Sequence, residues 1–123
     1  MPKTYPELVA EARAKIGVAT PEETAASGAV ILDVREPAEV AKGRVAGDFI
    51  HIPRGLLEPK ADAQTGDPAL LAAKDGGAIH VLCAVGGRAA LAAATLVDMG
   101  YDAKVIEGGF AGWKKAGLDV VEG

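Results

Sequence analysis

Cys83 is the only cysteine of the chain and the residue best suited to nucleophilic chemistry. It follows an apolar run over residues 78–82 that predicts a buried strand, and it precedes an alanine- and leucine-rich run over residues 88–99 that predicts a helix. Open parallel sheets place their chemistry at such a junction of strand end and helix start. The free N–H groups and the dipole of a helix start also favour the thiolate, which is the reactive form. The sequence therefore predicts a nucleophile that works through a single thiol.

The segment that begins at Cys83 is predicted to form an anion-binding loop. Its successive N–H groups can curl toward the sulfur, and its two glycines permit the positive φ values that such a curl needs. Arg88 stands in the first turn of the expected helix, where a cation opposes the helix dipole. We therefore expect a bound anion or a carboxylate partner to offset it. The residues predicted to line the loop are Ala84, Val85, Gly86, Gly87 and Arg88.

Composition excludes several classes of function. One cysteine can form neither an internal disulfide nor a dithiol redox pair, and His51 and His80 lack metal-ligand spacing, so no metal and no cofactor is expected. The net charge is −4 and lysines and arginines do not cluster, which argues against nucleic acid and anionic membranes as partners. The chain has no apolar run of membrane-spanning length and no signal-peptide pattern, so a cytoplasmic location is expected.

Helix and strand signals alternate along the chain, which predicts a single α/β domain with a mostly parallel sheet of about five strands and helices on both faces. Residues 1–17 are expected to form a helical extension and residues 18–121 the core. Strands are predicted over residues 29–32, 49–52, 78–82 and 104–107. Helices are predicted over residues 6–16, 21–27, 36–42, 67–74, 88–99 and 110–116. Residues 56–65 are expected to be irregular.

Four segments, taken in order, resemble the motifs of single-domain rhodanese-like sulfurtransferases. They are ILDVRE at 31–36, the segment 43–55 ending in HIPRG, CAVGGRA at 83–89 and EGGFAGW at 107–113. The resemblance covers about residues 18–121. The sequence departs from the family at Arg44-Val45-Ala46, where the family usually has His-Ile-Pro, and one extra residue follows before Ile50. We interpret this departure as a variation of loop geometry.

The resemblance implies a sulfurtransferase that carries sulfane sulfur on a Cys83 persulfide, with Asp33 and Arg35 in supporting roles. Because the family's corresponding strand end lies beside the active strand, it also makes Asp33 the candidate carboxylate partner of Arg88. The implied partners are a small sulfur-containing anion such as thiosulfate, or a persulfide, as donor, and cyanide, a small thiol or a protein cysteine as acceptor. No charged side chain lies between Cys83 and Arg88. A loop without charge steers a dianion poorly, so we expect a persulfide donor to serve better than thiosulfate.

Two other functions remain open at this point. Phosphatase and arsenate-reductase relatives of the fold resemble C-x5-R, one residue longer than the spacing from Cys83 to Arg88, and the shorter loop favours sulfur transfer. Folds of this kind also serve as non-catalytic interaction modules, although such modules often lack the cysteine. We interpret Phe110 and Trp113 as core residues, and His80 as a hydrogen-bonded histidine of the sheet rather than a catalytic base.

Overall fold

The computed structural model describes residues 2–123 as alternating helices and strands. In chain order they are α1 (Tyr5–Arg13), β1 (Gly17–Ala19), α2 (Pro21–Ser27), β2 (Val30–Asp33), α3 (Pro37–Lys42), β3 (Gly43–Val45), β4 (Ile50–His51), a 3₁₀ turn (Arg54–Leu56), α4 (Leu57–Ala61), α5 (Pro68–Gly76), β5 (Ala78–Leu82), α6 (Gly87–Asp98), β6 (Asp102–Ile106), α7 (Gly109–Lys115) and β7 (Val120–Glu122).

The central sheet has five parallel strands in the order β1-β6-β5-β2-β4, which confirms the predicted α/β class. Strand β5 lies in the middle, so Cys83, which follows it directly, lies at the carboxyl end of the central strand. Strands β3 and β7 pair antiparallel in a separate two-stranded sheet. A parallel sheet needs cover on both faces, because its strands carry apolar side chains on both sides.

Alternation along β5 divides the core into two clusters. Ile79 and Val81 point into the larger cluster, which also receives residues of α1, α4, α5 and α6, whereas Leu82 points into a cluster on the opposite face with Phe110 and Trp113 of α7. Successive side chains of a strand face opposite sides, so this division follows from the backbone. Phe110 and Trp113 are buried, and the prediction that they are core residues is confirmed.

Small side chains bring α6 close to the sheet. Its fully buried residues, apart from Leu96, are alanines: Ala89, Ala90, Ala92 and Ala93. Alanine carries little volume and has the highest helix propensity, so one residue type both forms this helix and lets it pack closely. The low aromatic content of the sequence is therefore compatible with a closed core.

Capping residues fix several helix ends. The Thr20 side chain accepts from the Glu23 backbone, and the Glu23 carboxylate accepts from the Thr20 N–H at 2.8 Å, which is the capping box that the sequence predicts. Thr4 and Glu7 form a second box at the start of α1. Gly28, with φ +72°, ends α2 in a left-handed conformation.

The structure differs from the sequence prediction mainly in short elements. Residues 56–65 are not irregular throughout, because they include α4, whose Leu57 and Ala61 are buried one helical turn apart. Pro59 is tolerated there because it stands in the first turn, where a backbone N–H has no intrahelical acceptor. The three-residue strands β1, β3 and β7 were not predicted, and α1 ends at Arg13 rather than Ile16.

Candidate active site

Cys83 follows the last residue of β5 and is 1% exposed. The backbone N–H of Gly86 donates a hydrogen bond to Cys83 Sγ at 3.0 Å. Gly86 has φ +117°, a conformation that favours glycine, and α6 begins at the next residue. The helix start therefore lies against the sulfur, at the carboxyl end of the central strand, as the sequence predicts.

Backbone hydrogen bonds from α7 hold the loop in place. The N–H of Phe110 donates to the Cys83 carbonyl at 2.7 Å, and the N–H of Ala111 donates to the Ala84 carbonyl at 3.1 Å. Gly109 has φ +61°, and a Cβ at this position would collide with the Cys83 carbonyl oxygen. The start of α7 thus belongs to the site. Sequence reasoning noticed this segment as a motif but did not assign it to the site.

Arg88 pairs with Glu39 of α3. Its two terminal guanidinium nitrogens donate to the two Glu39 carboxylate oxygens at 2.7 and 2.9 Å. These hydrogen bonds lower the pKa of Glu39 to about 2 and raise the pKa of Arg88 above its ordinary value. The expectation that Asp33 is the partner of Arg88 is wrong. Glu39 fulfils that role, although no feature of the sequence distinguished it from other exposed glutamates.

Asp33 instead pairs with Arg35, two residues along the chain. Both side chains are buried, and the Arg35 Nη2 donates to Asp33 Oδ2 at 2.9 Å and to the Gly43 carbonyl at 2.8 Å. The same guanidinium lies over the Phe110 ring, 4.3 Å from its centroid. The pair therefore connects β2 and β3 to the residue whose N–H holds Cys83. The supporting roles expected of Asp33 and Arg35 in the activity stay a prediction.

The Glu39–Arg88 pair should make the free energy of unfolding depend on pH in the acidic range. A carboxyl whose pKa falls from 4.5 to about 2 on folding contributes stability above pH 4.5 and loses it as the pH falls toward 2. Both side chains are about one third exposed, so we discount the pair for solvent screening. We expect Glu39→Gln to lower the free energy of unfolding by about 1 kcal/mol at pH 7. The difference between the variant and the wild type should shrink below pH 4.5. Urea unfolding across pH measures it.

Glu22→Gln, at an exposed position of α2, is the matched control for loss of one carboxylate. At neutral pH, Glu22→Gln should lower the free energy of unfolding by less than Glu39→Gln does. Equal unfolding free energies for wild type and Glu39→Gln at every pH would contradict the role of the pair.

A groove of about 430 Å³ lies beside the loop, between it and helix α1. Tyr5, Val9 and Arg13 line one side, and Val85 and Gly87 line the other. Val85 is 71% exposed, so the loop presents an apolar side chain to solvent next to the buried sulfur. Sequence reasoning placed α1 outside the core and assigned none of its residues to the site.

His80 lies away from this site. It is buried, a hydrogen bond of 2.8 Å joins its Nδ1 to the Thr24 hydroxyl, and desolvation lowers its pKa. The interpretation as a hydrogen-bonded histidine of the sheet is confirmed. His80, Glu23 and Lys104 line a larger cavity of about 900 Å³ that includes no residue of the Cys83 loop. We place the candidate site at Cys83, because the nucleophile and the helix start meet there.

Within residues 2–123, no group of three or more His, Cys, Asp or Glu side chains is arranged to hold a metal ion. Over the same residues, no helix combines the length and the apolar character needed to cross a bilayer.

Several known proteins are similar to this chain in sequence and fold. The rhodanese-like domain family matches residues 20–116. A protein of unknown function from Rhodopseudomonas palustris, described as a possible tyrosine phosphatase, is 34% identical over 98% of this chain and 99% of its own, with a TM-score of 0.83. A rhodanese-related protein from Thermoplasma volcanium is 29% identical over 85% and 97%, with a TM-score of 0.70. The polysulfide-sulfur transferase of Wolinella succinogenes is 26% identical over 92% and 83%, with a TM-score of 0.69.

Proposed function

The chain belongs to the rhodanese-like domain family, and we propose that it is a sulfurtransferase that carries sulfane sulfur as a persulfide on Cys83. The donor is thiosulfate or a persulfide, and the acceptor is cyanide or a thiol. The observation that carries the proposal is the hydrogen bond from the Gly86 N–H to Cys83 Sγ at the start of α6. A donor aimed at the sulfur stabilises negative charge there, and both the thiolate and the persulfide carry such charge.

The first half-reaction converts Cys83 to its persulfide. The Cys83 thiolate attacks the outer sulfur of thiosulfate, a new S–S bond forms, and sulfite leaves with the electron pair of the bond that breaks. The first N–H groups of α6 have no acceptor within the helix, and Gly86 has no side chain to cap them. These groups are available to the terminal sulfur of the persulfide.

The second half-reaction returns the thiolate. Cyanide or an acceptor thiolate attacks the terminal sulfur, and the electron pair of the persulfide bond returns to Cys83 Sγ. Cyanide becomes thiocyanate, and a thiolate becomes a persulfide. Neither half-reaction written in this way transfers a proton, so the scheme assigns no residue as a general base.

The state of Arg88 argues against the phosphatase alternative, which the description of one relative raises. An oxyanion held in this loop would compete with the Glu39 carboxylate for the Arg88 guanidinium. Here both terminal nitrogens of Arg88 are already bonded to Glu39. The loop between Cys83 and Arg88 is also one residue shorter than the C-x5-R pattern. A compact loop with an occupied arginine is better suited to a single sulfur atom than to a phosphate.

Intact-mass spectrometry tests the proposal. After exposure to thiosulfate and removal of excess reagent, the protein should gain the mass of one sulfur atom, and it should lose that mass when cyanide is added. Because the chain has one cysteine, the gain reports on Cys83 alone. The absence of any gain with thiosulfate and with glutathione persulfide would contradict the proposal and favour an interaction module.

A further inference from the structure

The larger cavity lies at the end of the sheet opposite the Cys83 loop. Its volume is about 900 Å³, and small-molecule sites typically measure about 300–1,000 Å³. Val30, Ile50 and Ala78 line it, and they are the first residues of β2, β4 and β5. Cys83 follows the last residue of β5, so the cavity and the nucleophile lie at opposite ends of the parallel strands. The proposed sulfur transfer makes no use of this cavity.

One polar atom of a buried side chain opens on this cavity. His80 is 5% exposed, its Nδ1 is hydrogen-bonded to the Thr24 hydroxyl, and its Nε2 has no hydrogen-bond partner within residues 2–123. Over the same residues, no side-chain nitrogen or oxygen that is sealed from solvent lacks a partner. Nε2 is therefore not sealed, and it faces the cavity that His80 lines. Burial and then the charge of Lys104 lower the pKa of His80, so the ring offers a neutral hydrogen-bonding group at neutral pH.

Two opposite charges flank His80 without pairing with each other. Lys104 is the register partner of His80 on β6, so both side chains face the same side of the sheet, and Glu23 precedes Thr24 on α2. The backbone N–H and the hydroxyl of Thr20 lower the pKa of Glu23, and the Lys104 charge lowers it further. Neither Glu23 nor Lys104 takes part in a salt bridge within residues 2–123. The gap between them suits a ligand that carries a positive and a negative group side by side.

Another wall of the cavity is apolar and built from small side chains. Ala69, Ala72, Ala73 and Gly76 of α5 line it, and their spacing of i, i+3, i+4 and i+7 places them on one face of that helix. None of these four residues carries a side chain larger than a methyl group, so the helix leaves open volume beside the strand ends. Phe49, which is partly buried, adds an aromatic ring to the lining. A large apolar group therefore fits here, next to the charged groups.

We propose that this cavity binds a free α-amino acid with a large apolar side chain. The carboxylate of the ligand binds Lys104 and His80 Nε2, and its ammonium binds Glu23. Its side chain packs against Phe49 and the alanine face of α5. A simple carboxylate would be repelled by Glu23 and by Asp48, which also lines the cavity, and a simple amine would be repelled by Lys104. An amino acid complements both signs of charge at once.

Isothermal titration calorimetry with L-phenylalanine tests the site. We expect wild type to bind it, and Lys104→Gln and Glu23→Gln each to weaken the affinity about fivefold, the loss expected for one exposed charge pair. A glutamine side chain also completes a capping box, so Glu23→Gln loses the charge and keeps the start of α2. Lys42→Gln, at an exposed position of α3 outside the cavity, is the matched control and should leave the affinity within about twofold.

Two analogues of the ligand assign each of its charges to a partner. N-acetyl-L-phenylalanine lacks the ammonium, so Lys104→Gln should weaken its binding and Glu23→Gln should not. L-phenylalaninamide lacks the carboxylate, so its binding should depend on Glu23 and not on Lys104. L-alanine should bind at least about tenfold more weakly than L-phenylalanine, because its methyl group buries little apolar surface.

Ala72→Leu tests where the side chain of the ligand lies. Leucine is a strong helix former and fills the cavity from α5, so this variant should weaken binding of L-phenylalanine at least about tenfold without lowering the melting temperature. Cys83→Ser should bind L-phenylalanine as wild type does, because Cys83 lies at the other end of β5.

Failure of wild type to bind L-phenylalanine would overturn the proposal. So would an affinity that is unchanged in Lys104→Gln, Glu23→Gln and Ala72→Leu. Loss of binding in a folded Cys83→Ser protein would also overturn it, because the ligand would then lie at the Cys83 loop. The proposed sulfur transfer is measured separately with thiosulfate and does not depend on the outcome, since it uses the opposite end of the sheet.

Discussion

Cys83→Ser is expected to abolish sulfur transfer from thiosulfate to cyanide, with a loss of at least about a thousandfold in kcat. The chain has one cysteine, so no other thiol can carry the persulfide. A serine hydroxyl is neither ionised at neutral pH nor able to hold sulfane sulfur as a stable intermediate. Thiocyanate formation, measured in the steady state, gives the result directly.

The serine variant should remain folded. The substitution is nearly isosteric, and the serine oxygen can accept the hydrogen bond that Gly86 donates to Cys83 Sγ. Circular dichroism and the fluorescence of Trp113, the single tryptophan, report on the fold. A folded Cys83→Ser protein that still produced thiocyanate at the wild-type rate would show that the cysteine is structural.

Asp33→Ala is expected to lower the free energy of unfolding by about 3–5 kcal/mol, the cost of leaving a buried charge without its partner. Asp33 is 0% exposed and Arg35 is 4% exposed, so neither water nor a nearby surface group can replace the lost carboxylate. The effect should extend to the active site, because Arg35 also contacts the Phe110 ring and the Gly43 carbonyl. Urea unfolding measures the loss.

Glu58→Ala provides a matched control, because it breaks the exposed pair between Arg54 and Glu58. We expect it to cost less than about 1 kcal/mol, as exposed ion pairs do. A double variant, Asp33→Leu with Arg35→Met, should recover part of the stability lost in Asp33→Ala, since it removes both charges and keeps apolar volume. A cost below about 1 kcal/mol for Asp33→Ala would contradict the buried-pair argument.

The sequence by itself determined the fold class and the position of the nucleophile. Residues 78–82 are an unbroken apolar run followed by Cys83 and two closely spaced glycines, and local rules predict a strand, a turn and a helix from that pattern. The structure contains β5 over those residues and α6 from Gly87. Thr20 and Glu23 likewise predict the start of α2, because a capping box is completed within four residues.

Tertiary structure alone decided which groups meet around the sulfur. Glu39 and Arg88 are 49 residues apart, and no local pattern distinguishes Glu39 from other glutamates on exposed helix faces. Arg13 and Gly86 are farther apart still, and they meet because α1 packs against α6. Short sequence windows report backbone propensity and periodicity, whereas these contacts depend on how separate elements pack. The position of the nucleophile can therefore be predicted from the local sequence. The charged residues around it depend on how α1, α3 and α7 pack around the Cys83 loop.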